Sequence, residues 1–381
     1  APYGYVLDST PVPFDVTEEN STQEGGITLI KVDKPNMAQK GTISVEKTGE
    51  VFFGVNVFGE KDKDVIYQPV YTVKGLAGAV YEITADEDII TPDGTLRYHK
   101  GDVVDTVTTD DEGFAKSKEL YLGKYTVVEI KAPNGMVINN EKHSVELTYA
   151  GQDVAVTETV TSFYNERQKV KISLEKVLEQ NDTFGIGKND EIKNISFGLY
   201  AKEDIVSSSG TVIPADGLIE IITLDENGTA IANTDLPFGS YYIKEIATDE
   251  HYILSDIQYP FNDSKPIENK LIYGSVSGKK IDENGEALGG ALIGIFKADE
   301  TEFTKEHAIM TATSEKDGSF SFAKVPYGQW IVREIEAPTG FVLDDTSYEV
   351  NISKNEQVIE VEIANEYVHG NIQLTKVDAD Y

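Results

Sequence analysis

An Asn followed eleven residues later by a Lys recurs along this chain, and four such pairs are set in matching surroundings: Asn36 and Lys47, Asn165 and Lys176, Asn269 and Lys280, Asn365 and Lys376. Between successive pairs a Glu stands six residues after a Gly, as Gly123 and Glu129, Gly239 and Glu245, Gly328 and Glu334. The order Lys, Glu, Asn therefore recurs as Lys47/Glu129/Asn165, Lys176/Glu245/Asn269 and Lys280/Glu334/Asn365. Landmarks repeated in fixed order mark a tandem array and constrain the fold before any single element is assigned. They also carry chemistry, because an amine, an acid and a carboxamide are the parts needed to join two strands by a side-chain amide bond.

The landmarks lie in segments with strand character. Opening runs read GTISVEK (41–47), VKISLEK (170–176), GSVSGKKID (274–282) and GNIQLTKVD (370–378). A second alternating run reads LAGAVYEI (76–83), ISFGLY (195–200) and LGGALIGIF (288–296). The Glu sits in LGKYTVVEIKAP (122–133), FGSYYIKEIATD (238–249) and YGQWIVREIEAP (327–338). Acid-Gly clusters at 108–114, 223–229 and 313–320 punctuate these runs as hairpin turns. Period-2 alternation, short runs and frequent turns predict an all-β array of antiparallel sandwiches. Helical periodicity is confined to one turn at TKEHAIM (304–310).

APYGYVLD (1–8) repeats as APNGMVIN (132–139) and APTGFVLD (337–344). Residues 1–40 therefore read as the closing part of a preceding unit, 370–381 as the first strand of a following one, and 41–169, 170–273 and 274–369 as three full units. Asn36 and Lys376 are orphans on this reading, each separated from its own unit's partners. Joins of only a few residues predict a stiff rod. Residues 50–74 enlarge the first unit and read as an extra hairpin, with a recognition surface as an alternative use.

The chain has 381 residues, more than one ordinary core accommodates. Its net charge of −33 accompanies 40% hydrophobic residues, so the acid belongs on the surface of packed domains rather than in a disordered chain. Such a surface repels phosphate backbones and anionic lipid, which argues against nucleic-acid and membrane partners. No run approaches the length of a membrane span, and no signal peptide is evident. Cysteine is absent, so any covalent staple has to be of another kind.

The opening Lys strand, the L-x-G-A run, the Y-x-x-x-E-x-x-A-P-x-G stretch and the closing Asn together resemble the collagen-adhesin B-type domains of Gram-positive surface adhesins and pilins. The resemblance covers nearly the whole chain and implies a prealbumin-like (Ig-like) sandwich. It further implies spontaneous isopeptide bonds Lys47–Asn165, Lys176–Asn269 and Lys280–Asn365, assisted by Glu129, Glu245 and Glu334. The second unit departs from the pattern: Thr248-Asp249 stands where the others have Ala-Pro, and its Glu-to-Asn interval is 24 residues against 36 and 31. In the third, Lys280 rather than Lys279 fits the Gly-to-Lys spacing of the other opening runs.

Burial lowers the pKa of an amine and raises that of a carboxyl group. A neutral amine held against the carboxamide, with a neutral acid donating to the carbonyl oxygen and relaying protons to the departing ammonia, is then set to react once. This is self-modification without turnover, so the chain is not expected to be an enzyme.

Other motifs carry less. The five His show no metal-ligand spacing, and GSVSG has Val276 where a nucleophilic Ser would stand. Acidic clusters at 60–65, 85–90 and 298–302 lack a calcium-loop pattern and read as solvated hairpin tips. No metal or cofactor is expected. The reading is a stalk segment of a cell-wall-attached adhesin on the bacterial surface, with neighbouring repeats as its partners. The alternatives are a module binding a host matrix glycoprotein or immunoglobulin, and a pilus subunit.

Overall fold

The computed structural model describes residues 1–59, 65–261 and 265–377. Its regular structure is β throughout the described residues, apart from one 3-10 turn at Glu191–Asn194 that the sequence did not signal. The turn expected at 304–310 is present, closed by Ala308 N–H donating to the Thr304 carbonyl at 3.1 Å. Residues 60–64 of the first acidic cluster lie outside the described residues.

Each full unit is a two-sheet sandwich built from strands whose side chains alternate between core and solvent. In the first, Lys40–Phe58 pairs with Phe114–Lys116, Leu120–Tyr121 and Val156–Asn165 in one sheet. The facing sheet runs Lys142–Leu147, Gly123–Lys131, Val80–Ala85, Val103–Thr108. In the second, Thr229–Ile231, Ser173–Leu178 and Ile267–Asn269 face a sheet containing Leu218–Thr223, Ser196–Ala201, Tyr241–Ala247 and Gln258–Pro260. In the third, Ser319–Pro326, Tyr273–Asp282 and Val358–Asn365 face Met310–Thr313, Leu292–Lys297, Gly328–Glu336 and Tyr348–Ile352. Neighbours within these sheets are antiparallel, but the opening and closing strands of every unit run parallel. Alternation alone cannot reveal that direction. In the second unit the closing strand is only three residues long and starts just after Pro266, which has no N–H to extend the ladder.

Three cores follow, around Tyr81 and Tyr125, around Phe197 and Leu199, and around Ile295 and Phe322. The 50–74 insertion is the expected hairpin, Lys40–Phe58 continuing past the sandwich and returning as Ile66–Gly75. One of its faces is not free: Phe52, Val55 and Tyr67 pack against the second core, and Ile66 pairs with Leu218. The insertion thus splints the first two sandwiches together. Arg167 completes this junction, stacked 3.8 Å from the centre of the Tyr71 ring and paired with Asp235.

Residues 1–40 form a short hairpin, Thr22–Glu24 with Ile27–Leu29, and a loop held to the first sandwich. The loop bridges Tyr5 to Ala38, as Met136 bridges Arg167, Tyr252 bridges Leu271 and Phe341 bridges Tyr367. In all four the second residue lies two positions after the landmark Asn, so 1–40 repeat the closing geometry of the full units. Residues 370–377 carry the alternation of an opening strand but are exposed and lie outside any strand.

Candidate functional site

Parallel pairing sets the first half of each site. Lys47 stands opposite Phe163, Lys176 opposite Ile267 and Lys280 opposite Ile363. In every case the Asn is two residues further on, and residues two apart in a strand share a face. Lys and Asn therefore project together into the core from adjacent strands.

The acid comes from the facing sheet. Along the Glu strands Tyr125, Val127 and Glu129 point inward, as do Trp330, Val332 and Glu334. The Glu thus occupies an inward position in an otherwise apolar row. Opposite it across the sheet lie Tyr81, Phe197 and Ile293.

The three groups meet in all three sandwiches, each 0–2% exposed. Lys47 Nζ donates to Asn165 Oδ1 and lies 3.1 Å from Glu129 Oε1, to which Asn165 Nδ2 donates at 2.9 Å. Lys176 Nζ donates to Asn269 Oδ1 at 2.5 Å and lies 3.4 Å from Glu245 Oε1, to which Asn269 Nδ2 donates at 2.8 Å. Lys280 Nζ donates to Asn365 Oδ1 and lies 3.6 Å from Glu334 Oε1, to which Asn365 Nδ2 donates at 3.0 Å. The second site, despite its divergent turn, repeats the other two.

One detail differs from expectation. The Glu does not face the carbonyl oxygen: its Oε1 meets both Lys Nζ and Asn Nδ2, while the Lys alone meets Oδ1. Loss of solvent pulls all three lysines below their ordinary pKa, and the adjacent Glu opposes that shift without cancelling it. Aromatic faces complete the apolar surroundings, with Lys47 Nζ 5.8 Å from the ring centres of Tyr81 and Phe163 and Lys176 Nζ 5.9 Å from that of Phe197.

Two supports escaped the sequence reading although both leave a periodic trace. The second oxygen of each Glu accepts a backbone N–H ten residues downstream, from Asn139, Ser255 and Asp344 at 2.7, 3.0 and 2.8 Å. The turn glycines Gly113, Gly228 and Gly318 accept from the backbone N–H of the three lysines at 2.8, 2.7 and 2.7 Å. Asn36 and Lys376 are exposed and belong to no buried Lys–Glu–Asn group among the described residues. Nor do the described residues include a group of three or more His, Cys, Asp or Glu placed to hold a metal ion. No described helix is long and apolar enough to cross a membrane.

The model of the SpaA prealbumin-like fold domain matches residues 69–161, 183–269 and 274–367, one stretch in each sandwich. A curated relative, the trypsin-resistant surface T6 protein of Streptococcus pyogenes serotype M6, is 28% identical over 139 residues. That match covers 35% of this chain and 24% of the T6 protein. Among solved structures, the Bacillus anthracis TIE protein shares the fold with a TM-score of 0.58 at 21% identity, over 87% of this chain and 52% of that one. The chain thus spans about a quarter of the T6 protein and about half of the TIE chain. BcpA, the major pilin subunit of Bacillus cereus, aligns over 87% of this chain and all of its own, with a TM-score of 0.40 and 17% identity. With well over half of its residues inside the three matched stretches, the chain belongs to the family of SpaA prealbumin-like fold domains.

Proposed function

We propose that each sandwich closes itself by an amide bond between Lys Nζ and Asn Cγ, giving Lys47–Asn165, Lys176–Asn269 and Lys280–Asn365, and that the chain is a load-bearing stalk segment of a bacterial surface adhesin or pilus. The observation that carries this reading is the buried meeting of amine, acid and carboxamide with the same atom-to-atom pattern three times over.

The geometry supports a simple proton path. Glu Oε1 takes a proton from the Lys ammonium, leaving a neutral amine to attack Cγ. The same oxygen faces Nδ2 and returns the proton there as the C–N bond breaks, and the second proton shed by the Lys nitrogen as it becomes an amide passes to the departing ammonia. An ammonium ion leaves, an amide remains, and the Glu ends as it began. Oriented groups of this kind reach effective molarities of about 10⁵ M or more, which replaces chemical activation of the amide.

The product ties the first strand to the last across 118, 93 and 85 residues. By the chain-entropy treatment of cross-links, loops of this size gain about 4–5 kcal/mol each. Tension applied through the ends of a sandwich enters the two joined strands and bypasses the rest of the fold. A surface role draws support from family membership and from the likeness to the surface T6 protein.

Proteolysis of the unfolded chain followed by peptide mass spectrometry tests the reading. It predicts three branched peptides, each containing one of the named Lys–Asn pairs. Recovery of Lys47, Lys176 and Lys280 only in linear peptides would overturn it.

A further inference from the structure

We infer that the Thr248 hydroxyl is a positioning group for the second bond, orienting the Asn269 carboxamide and its departing nitrogen; the inference rests on the bond-forming reading above. Asn269 Nδ2 donates to Glu245 Oε1 at 2.8 Å and to Thr248 Oγ1 at 2.9 Å. Both of its hydrogens are thereby engaged, and the amide plane is fixed at two points. The corresponding turn residues in the first and third sandwiches are Ala132 and Ala337, which have no hydroxyl to offer.

The turn that presents Thr248 is itself stapled. Asp249 stands where the others have Pro and is buried, accepting from Asn194 Nδ2 at 2.7 Å, from the His251 backbone N–H at 3.1 Å, and hydrogen bonding the His251 ring at 2.6 Å. A flexible polar turn replaces a Pro turn only if something else holds it, and these bonds do so. They aim a side chain into the reaction site from the one sandwich whose closing strand is three residues long. With no ladder before Ile267 to anchor the short strand that carries Asn269, a second hydrogen bond supplies orientation that the longer closing strands provide elsewhere.

In the reaction, Lys176 Nζ attacks Cγ and the Cγ–Nδ2 bond breaks, with the proton arriving from Glu245 Oε1. Thr248 exchanges no proton in this scheme. Its oxygen keeps Nδ2 on the Glu side and Oδ1 on the Lys side, which raises the fraction of time spent in reactive geometry.

The test is cell-free synthesis of the full chain, quenched in denaturant at intervals and digested, with all three branched peptides quantified over time. Thr248→Ala and the isosteric Thr248→Val are expected to slow formation of the Lys176–Asn269 peptide by about tenfold, the size of one lost hydrogen bond. Thr248→Ser keeps the hydroxyl and is expected to form it at the parent rate. The Lys47–Asn165 and Lys280–Asn365 peptides serve as internal clocks and should not change. A Val variant that closes as fast as the parent would overturn the inference while leaving bond formation intact, as would a Ser variant slowed like Ala. If none of the three peptides forms in the parent chain, the proposed function itself fails.

Discussion

The backbone N–H of Lys280 donates to the Gly318 carbonyl at 2.7 Å, and a Cβ on Gly318 would stand 2.3 Å from the Lys280 carbonyl oxygen. Gly318 also has φ +79°, a conformation in which a side chain costs about 1–2 kcal/mol. Strain and clash together predict that Gly318→Ala destabilises the third sandwich by about 2 kcal/mol or more and slows formation of its bond. Thermal melting reads the first effect and the yield of the Lys280–Asn365 peptide the second. Equal yield and equal melting would show that the glycine does not set the position of the lysine.

The junction between the first two sandwiches turns on Arg167, only 8% exposed, lying against Tyr71 and paired with Asp235. Tyr71 in turn donates its hydroxyl hydrogen to the Asp235 backbone carbonyl at 3.0 Å. Arg167→Ala leaves Asp235 without its main cation and opens space beside the ring. A loss of about 2 kcal/mol is expected, because Asp235 remains partly in water and is not a fully buried charge. A double-mutant cycle with Asp235→Ala should return a coupling of about 1 kcal/mol or more.

Trp330, the single tryptophan of the chain, reports on the other junction. Its ring meets Phe184 of the second sandwich edge-on at 4.8 Å, and its Nε1–H donates to Pro326 O at 2.9 Å. Phe184→Ala removes a buried ring from this contact, at a cost of about 3–5 kcal/mol to local packing. Tryptophan emission should shift to the red without loss of the third sandwich. Unchanged emission would place the junction elsewhere.

The buried lysines also predict a pH dependence in chains that cannot close. In Asn165→Ala, Lys47 stays titratable; burial holds it below its ordinary 10.5, with Glu129 pulling the other way. The unfolded chain then keeps the proton to higher pH than the folded one. Stability is therefore expected to rise as pH passes through the folded-state pKa and to level off near 10.5. Urea melts of Asn165→Ala against Lys47→Met/Asn165→Ala isolate the effect. A flat difference between the two would mean that Lys47 is not held in a dry site.

The array and the membership of each Lys–Glu–Asn group were legible because they are periodic, and period survives without knowledge of contacts. The parallel direction of the opening and closing strands was not, since side-chain alternation is the same in either direction. The second face of the 50–74 hairpin was likewise hidden: Phe52, Val55 and Tyr67 alternate like any strand residues, and only the fold brings them against a neighbouring core. The supports of the Glu came from backbone groups, which sequence does not distinguish; their constant ten-residue offset was the available clue. Thr248 was visible as a departure from Ala-Pro, but only the fold brings its hydroxyl to the Asn269 carboxamide.

The central claim is that three lysines and three asparagines are joined within this chain. The mass of the intact, fully denatured protein measures it directly, since each bond expels one ammonia. The account predicts a mass three ammonia units below that of the sequence, two below in Glu129→Ala, and none below in Glu129→Ala/Glu245→Ala/Glu334→Ala. A folded parent chain carrying the full sequence mass would contradict it.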